Sequence, residues 1–474
     1  MLKTLEALEA EIDESFSILN HPPKPFVPLI KGPDGKLMLD VLIIGGGMNG
    51  LAAAFALRRF GVLNIRQLDA KPAGFAGPWR NYARMQFLRS GKNQSGPSLD
   101  QALLTPQAWW QASRPNSDWG TFEYFGREDW AEYLEWYAKV TQADVEYETT
   151  VSEIVPKDDY VAIKTLDSKR IQSCTYARQV VLATGREGLA KPRIPDAFQT
   201  LREDSRVCHS SKFFDFSSVT GQHVAVVGLA ASAFDNAASL AESGANVTII
   251  GRAREVPRMN KMKHTVTSGF AEGFPLLADH YKLKWLRHIT ASRIAPPKHT
   301  VERVSKLGVD IVTDTKIIQV CKAGEQLVLM SDNFSRKVDK VILATGFKMD
   351  LFANAAIASF VDEIQLWRDK MPPETWVTTD EEWAAFPYLS QGFGFQPKLA
   401  KKSPALGRVR CFNHGAQLSL GNLANDIPHT SFGAERLAKS IVADLFVEDR
   451  DYHFQTLEDY NELELDGEEW PGRI

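Results

Sequence analysis

Apolar residues at positions 2, 5, 8, 12, 16 and 19 (Leu, Leu, Leu, Ile, Phe, Leu) recur every three or four residues with acids between them. That spacing predicts a short amphipathic helix that docks on its own chain or on a partner. Residues 21–28, His-Pro-Pro-Lys-Pro-Phe-Val-Pro, cannot continue a helix and predict an extended strap. From Asp40 the pattern changes to the apolar run Val41–Ile44, a glycine turn, Leu51–Leu57 on helical spacing, and a second strand ending in Leu68-Asp69. This order is one β-α-β unit. It returns as the run His223–Val227, a turn of small residues, a helical stretch over 230–244 and Val247–Ile250. The first glycines of the two turns, Gly45 and Gly228, lie 183 residues apart. Each unit is closed by a matched strand, Val180-Val-Leu-Ala-Thr-Gly185 and Val341-Ile-Leu-Ala-Thr-Gly346. The chain therefore contains two related nucleotide-binding modules. Residues 255–300, with a helical run Leu277–Ile289 between prolines, fit neither module and predict an insertion that lines a substrate pocket.

Composition changes this picture little. At 474 residues the chain is long enough for about three domain-sized units. Lys plus Arg number 55 against 59 Asp plus Glu, a net charge of −4, which gives no basis for a nucleic-acid or anionic-membrane surface. No apolar run reaches the roughly 20 residues a membrane span needs, and the acid-broken N-terminus lacks a secretory pattern. Cysteines stand at 174, 208, 321 and 411, never closer than 34 residues, which excludes a C-x-x-C redox pair and a clustered zinc site. Such thiols suit a reducing, cytoplasmic setting.

The glycine turns carry the first chemistry. Gly45, Gly47 and Gly50 follow a buried strand and open a helix, and Asp69 stands 24 positions after Gly45. Gly45 permits the tight turn, Gly47 lets a pyrophosphate approach the backbone, Gly50 allows close helix–strand packing, and Asp69 is placed to accept from a ribose hydroxyl. The second turn, Gly228-Leu-Ala-Ala-Ser232-Ala, has alanines where the first has glycines. In place of an acid it has Gly251-Arg252, a guanidinium suited to a 2′-phosphate, which favours NADPH over NADH; a solvated arginine at a strand end is the alternative.

Two dinucleotide modules, each closed by Ala-Thr-Gly, resemble the two-dinucleotide-binding-domain flavoproteins. Without a redox cysteine pair, the chain looks like their class B flavoprotein monooxygenases: flavin-containing monooxygenases, N-hydroxylases and Baeyer–Villiger enzymes. The resemblance runs from about Val41 to Phe446. It rests on Gly74-Phe-Ala-Gly-Pro-Trp79, on His209-Ser-Ser-Lys-Phe213, and on Ala344-Thr345-Gly-Phe347. Glu203 and Ser205 stand where the family signature ending in His and an aromatic has Phe and Gly. Met85-Gln86-Phe-Leu-Arg-Ser90 resembles the Met-Gln segment of the N-hydroxylases.

The resemblance implies an α/β fold of two Rossmann-like domains, one for FAD and one for NADPH, with the NADPH domain inserted in the FAD domain. The corresponding boundaries are 1–39 for the helix and strap, 40–205 and 336–474 for the FAD domain and C-terminal segment, and 206–335 for the NADPH domain with its insertion. It also implies that NADPH (NADH is possible) reduces FAD and that a flavin C4a-hydroperoxide delivers one oxygen atom from molecular oxygen. The substrate would be a small nitrogen-bearing metabolite, either an amine taking oxygen on nitrogen or a purine such as urate taking it on the ring. Trp79 would pack near the flavin or serve as a core tryptophan. Gln86 and Asn93 are the candidate catalytic side chains, Thr345 and Asp426 candidate cofactor contacts, and His209 a hinge residue. An NADPH-dependent flavin reductase or oxidase, or an FAD-holding redox sensor without turnover, are the alternatives. Oligomeric state has no signature in the sequence.

Overall fold

The computed structural model describes residues 4–291, 294–376, 381–399, 404–467 and 469; Leu2 of the N-terminal stripe and residues 470–474 lie outside them. Two sheets organise the chain, the first mixed and the second parallel. In the first, the strands run in the order Val145–Glu146, Ile65–Leu68, Leu39–Ile44, Gln172–Leu182, Val161–Leu166 and Thr150–Pro156, with Val409–Arg410 added beside Gln172–Leu182. The nucleotide-binding side is parallel, with Val41 opposite Ile65 on one side and Gln179 on the other. In the second sheet the order is Val207–His209, Lys340–Leu343, His223–Val227, Asn246–Ile250 and Asp310–Val312, all parallel. Near-continuous Val and Ile make these strands, since both faces of such a sheet are covered by helices.

The chain leaves the first sheet near Ala190–Pro192 and returns through Phe347–Met349, and these two crossing segments pair antiparallel with each other. The second sheet is thus an insertion within the first body, and the crossing is a two-stranded ribbon. His209 fastens it: its Nε2–H donates to the Gly346 carbonyl at 2.9 Å while Nδ1 accepts from the Ser211 N–H. Burial lowers the histidine's pKa, so the ring is neutral, as one donor and one acceptor require.

The N-terminal helix Leu5–Ile18 docks on its own chain, burying Leu8 and Ile12, with Phe16 against Phe55 of the helix Met48–Arg59. Residues 255–300 leave the second sheet. Their helices Ser268–Gly273 and Asp279–Ala291 bury Ala271, Phe274, Leu283 and Leu286 in the core of the first body. Asn422 donates to Thr265 and Arg436 pairs with Glu272, so this insertion is held against the C-terminal loop.

Asp40, in the first strand, shows a cost of this packing. It is buried, and desolvation pushes its pKa up to about 7 although Arg178 opposes the shift. A carboxyl whose folded pKa is raised binds a proton more readily in the native state, so stability falls as pH climbs from about 4 to about 7. Asp40→Asn should therefore raise the thermal midpoint at pH 8 by several degrees and leave it unchanged at pH 4, read by circular dichroism melting at both values.

Candidate functional site

The first glycine turn is built as a cradle. Gly45 has φ +119°, and a Cβ there would fall 2.4 Å from the Ala183 carbonyl oxygen. The strand Gln172–Leu182 passes so close that only hydrogen fits. Gly50 is equally confined, 1.9 Å from the Gly45 oxygen. Gly47 is not: a Cβ on it would meet nothing nearer than the Gly77 nitrogen at 3.7 Å. It is the N-cap of the helix Met48–Arg59 and supplies no capping side chain, so the first helical N–H groups face open space. Asp69 accepts from the Gly46 N–H with one carboxylate oxygen and from the Lys71 N–H with the other, both at 2.7 Å. Its orientation is set by the turn.

The second turn repeats this geometry. Gly228 has φ +142°, and its Cβ would fall 2.5 Å from the Ala344 oxygen. The Gly45 N–H donates to Leu68 and the Gly228 N–H to Ile250; Ala183 donates to Ile44 and Ala344 to Val227. The matched Ala-Thr-Gly strands therefore perform one task, crossing beneath each turn. Ala230 caps the helix Ala231–Glu242 without a side chain, and Ser232 lies in its first turn, 3.5 Å from the Ser210 hydroxyl. Arg252 is exposed past the end of Asn246–Ile250, with no partner among the described residues. Thr345 is engaged in the crossing, where its hydroxyl donates to the Arg193 carbonyl.

Residues remote in sequence roof the first cradle. The segment 74–79 brings Gly77 over Gly47, and half-buried Trp79 meets Trp130 edge-on at 6.2 Å. From the C-terminal side, Asn49 donates to the Ala424 carbonyl at 2.8 Å, which pins the loop before the helix Thr430–Glu448 onto the start of Met48–Arg59. Asp426 spends its carboxylate within that loop, accepting from the His429 N–H and contacting the His429 ring at 3.0 Å. Its half-buried neighbour Asn425 turns its amide to the His414 ring, and neither that amide nor His414 Nδ1 has another partner among the described residues.

Gln86 and Asn93 stand on either side of the strand Phe87–Gly91, whose register against Tyr124–Gly126 shifts within it. Gln86 is exposed beside Trp79, where Arg127 holds the Trp79 and Ala83 carbonyls. Asn93 accepts from Trp119 Nε1 at 3.3 Å and lines a surface depression of about 520 Å³ with Lys92, Phe122 and Glu123. Between them, Arg89 reaches across to buried Asp235 of the second body at 3.0 Å. Sequence reasoning missed His414 and Asn425, which have no signal short of the fold.

Residues 42–305, more than half of the chain, match the family described as pyridine nucleotide-disulphide oxidoreductase. The chain belongs to this family. This oxidoreductase is similar over 472 residues to an FAD-dependent urate hydroxylase of Xanthomonas campestris, at 29% identity, covering 99% of this chain and 98% of the relative. A Baeyer–Villiger monooxygenase of Streptomyces coelicolor is 25% identical over 226 residues, 47% of this chain and 40% of that one. Among solved structures, an ornithine hydroxylase from Pseudomonas aeruginosa superposes with a TM-score of 0.68 at 16% identity, covering 86% of this chain and 100% of that one. A cadaverine monooxygenase from Erwinia amylovora bound to FAD gives 0.64 at 15%, covering 93% and 100%. The two-Rossmann fold and the flavoprotein monooxygenase resemblance expected from the sequence are thus both shown. The protein is an FAD-dependent oxidoreductase. All four of its cysteines are free.

FAD fits the first cradle on the structure's own terms: an open Gly47, uncapped helical N–H groups, an oriented Asp69, and a roof whose Asn425 amide and His414 Nδ1 have no partner beyond each other among the described residues. Gly45, Gly47, Gly50 and Asp69 would hold the dinucleotide half, and Trp79, His414 and Asn425 would border the ring. Among the described residues no helix is long and apolar enough to cross a membrane, and no His, Cys, Asp and Glu cluster could hold a metal ion.

Proposed function

We propose that this oxidoreductase is an NADPH-consuming monooxygenase that inserts one atom of molecular oxygen into a small nitrogen-bearing metabolite in the cytoplasm. The single observation that supports it best is the second cradle, which repeats the geometry of the first and has Gly251 and then an unpaired Arg252 where the first has Asp69. A second dinucleotide site beside an FAD site serves hydride transfer between them. On this reading the first body, 40–205 with 336–474, binds FAD, and 206–335 binds NADPH.

FAD, when bound, supplies the chemistry of accepting hydride and activating oxygen. The chain's own residues position and enclose. The helix starting at Met48 places its positive end at the pyrophosphate, and Asp69 receives a ribose hydroxyl. Ser232 and Arg252 take the phosphates of the second nucleotide. The Arg89–Asp235 ion pair and the His209–Gly346 clamp fix the two bodies face to face, and the insertion with the C-terminal loop shuts water from the roof. The similarity to a urate hydroxylase over nearly the full length supports ring hydroxylation of a purine; the fold shared with amine hydroxylases supports the N-hydroxylation branch.

The test is stoichiometry. In the presence of its substrate, each NADPH and O2 consumed should yield one NADP⁺, one water and one hydroxylated product carrying a single ¹⁸O from ¹⁸O2. Hydrogen peroxide equal to NADPH consumed, whatever substrate is added, would instead establish a flavin oxidase, and flavin that NADPH does not reduce would establish the binding protein.

A further inference from the structure

The segment that follows the helix Thr430–Glu448 has an apolar face left in solvent. Phe446, Val447, Phe454, Leu457, Leu463 and Leu465 are each more than half exposed. Residues 451–469 carry eight acids and no lysine or arginine. Of these acids, Glu458, Asp459, Glu462 and Glu464 are exposed and have no ion pair among the described residues. Apolar and acidic side chains thus lie side by side along the segment, with no cation among them. Exposed apolar groups that gather in one place mark interaction sites. The excess of acid excludes an anionic membrane or a nucleic acid as the cover and calls for a basic, partly apolar one.

The insertion has that surface. Residues 255–300 hold eight lysines and arginines against three acids. The helix Asp279–Ala291 turns Tyr281, Lys284, Trp285 and His288 outward on the spacing of one helical face, with the Lys284 ammonium 5.9 Å from the Tyr281 ring centre. Lys261 donates to His288 Nε2 at 2.7 Å and joins this face. Met259 and Leu276, in the segments leading to the helix, are 60% and 72% exposed. Arg258, Lys263 and Lys284 have no ion pair among the described residues. Within one chain the two surfaces stand at opposite ends of the helix Thr430–Glu448. At its start the His429 and Phe270 rings are 6.2 Å apart, so that end touches the insertion. At its finish Asp449 is fixed by Arg178 at 2.7 Å. Its 19 residues separate the ends by about 28 Å. The 9-residue helix Arg450–Glu458 that leaves Asp449 is about 14 Å long, so its apolar face does not reach the insertion of its own chain. The insertion of a second copy is under no such limit.

We propose that the acidic segment 446–465 of one copy docks on the basic insertion face of a second copy, and that the exchange is reciprocal, giving a two-fold dimer. In a two-fold pair the segment of each copy meets the insertion of the other, so both surfaces are covered at once and the assembly closes. Opposite potentials steer the encounter and fix its register, while the aromatic and aliphatic side chains supply the buried area. The pairing is independent of the reaction, and it lays each segment over the insertion that packs against the partner's C-terminal loop.

Sedimentation velocity on full-length proteins tests this, with circular dichroism melting to confirm that each is folded. One variant reverses the segment (Glu458→Lys, Asp459→Lys, Glu462→Lys and Glu464→Lys), one reverses the insertion (Arg258→Glu, Lys263→Glu and Lys284→Glu), and a third carries both sets. At about 20 μM in about 0.1 M salt the wild type should sediment at twice the 52.9 kDa of one chain. Its dimer Kd should rise at least about tenfold in about 1 M salt, as the Debye length falls from about 10 Å to about 3 Å. Each single reversal should raise the Kd at least about a hundredfold, because like charges then face each other. Mixing the two singly reversed proteins should restore a dimer, and the doubly reversed protein should dimerise alone. A monomeric wild type, a dimer that neither reversal weakens, or single reversals that mixing does not rescue would each overturn the proposal. A monomeric wild type whose melting temperature falls in each single reversal and recovers in the double would overturn it by placing the segment on its own insertion. A mass that keeps rising with concentration beyond the dimer would overturn the reciprocal exchange.

Discussion

Gly47→Val should strip FAD from the protein while leaving the fold intact, with the FAD Kd raised at least a hundredfold and flavin absorbance in the purified protein below about a tenth of the wild type. The backbone at Gly47 (φ −80°, ψ −175°) is extended and open to any residue. No atom lies within 3.7 Å of its Cβ position, so valine adds no strain to the apoprotein. Its methyl groups would instead occupy the space in front of the helix start, where a pyrophosphate must approach the backbone N–H groups. A hundredfold corresponds to about 2.7 kcal/mol, comparable to losing two charge-assisted hydrogen bonds together with the helix-end interaction. Gly45→Ala makes the contrasting control. Its Cβ meets the Ala183 oxygen at 2.4 Å and its φ of +119° is closed to alanine, so it should lower the melting temperature as well as FAD content. Full FAD occupancy in Gly47→Val would place the cofactor elsewhere. The two readouts are flavin absorbance after desalting and far-ultraviolet melting.

The cradles were legible because their chemistry is local. A strand, a glycine turn, a helix and an acid lie within one 30-residue window, and each glycine answers to a contact that the order of elements already implies. The Ala-Thr-Gly repeats were also visible, but their purpose appears only in three dimensions, as the strand that crosses under each turn and forbids a Cβ at Gly45 and Gly228. The roof of the first cradle was not legible for two physical reasons. Gln86 and Asn93 rest on the resemblance, and the strand Phe87–Gly91 with its register shift stands between them. His414 and Gly185 come from segments more than 200 residues apart; the His414 N–H reaches the Gly185 carbonyl only when the last strand, Val409–Arg410, joins the sheet. The C-terminal loop shows a subtler failure of local reasoning. Asp426 and Asn425 are neighbours, and the acid looks like the cofactor contact. Helix-start chemistry uses it, because an Asp three residues before His429 caps that N–H, and the adjacent amide is the group turned inward.

Arg252→Ala should raise KM for NADPH between tenfold and a hundredfold, leave KM for NADH within twofold, and change kcat by less than twofold with either. The two units differ at the end of their second strands. At the end of its second strand the first unit has Asp69, whose carboxylate accepts from the Gly46 N–H. The second unit has Gly251, which must be glycine because a Cβ would sit 2.1 Å from Leu229, and then Arg252, exposed and without a carboxylate partner among the described residues. An unpaired guanidinium at that position meets a 2′-phosphate, which NADH lacks. One charge-assisted contact is worth about 1.5–3 kcal/mol, the stated range in KM. Because the phosphate is remote from the reacting carbon, the interaction is the same in ground and transition states and its loss appears in KM alone. Arg254→Ala, two residues on and also exposed, should have the smaller effect. Initial rates with both nucleotides decide the matter: equal losses for NADPH and NADH would mean that Arg252 acts through the fold of the loop, and no loss would leave it as a solvated arginine at the end of a strand.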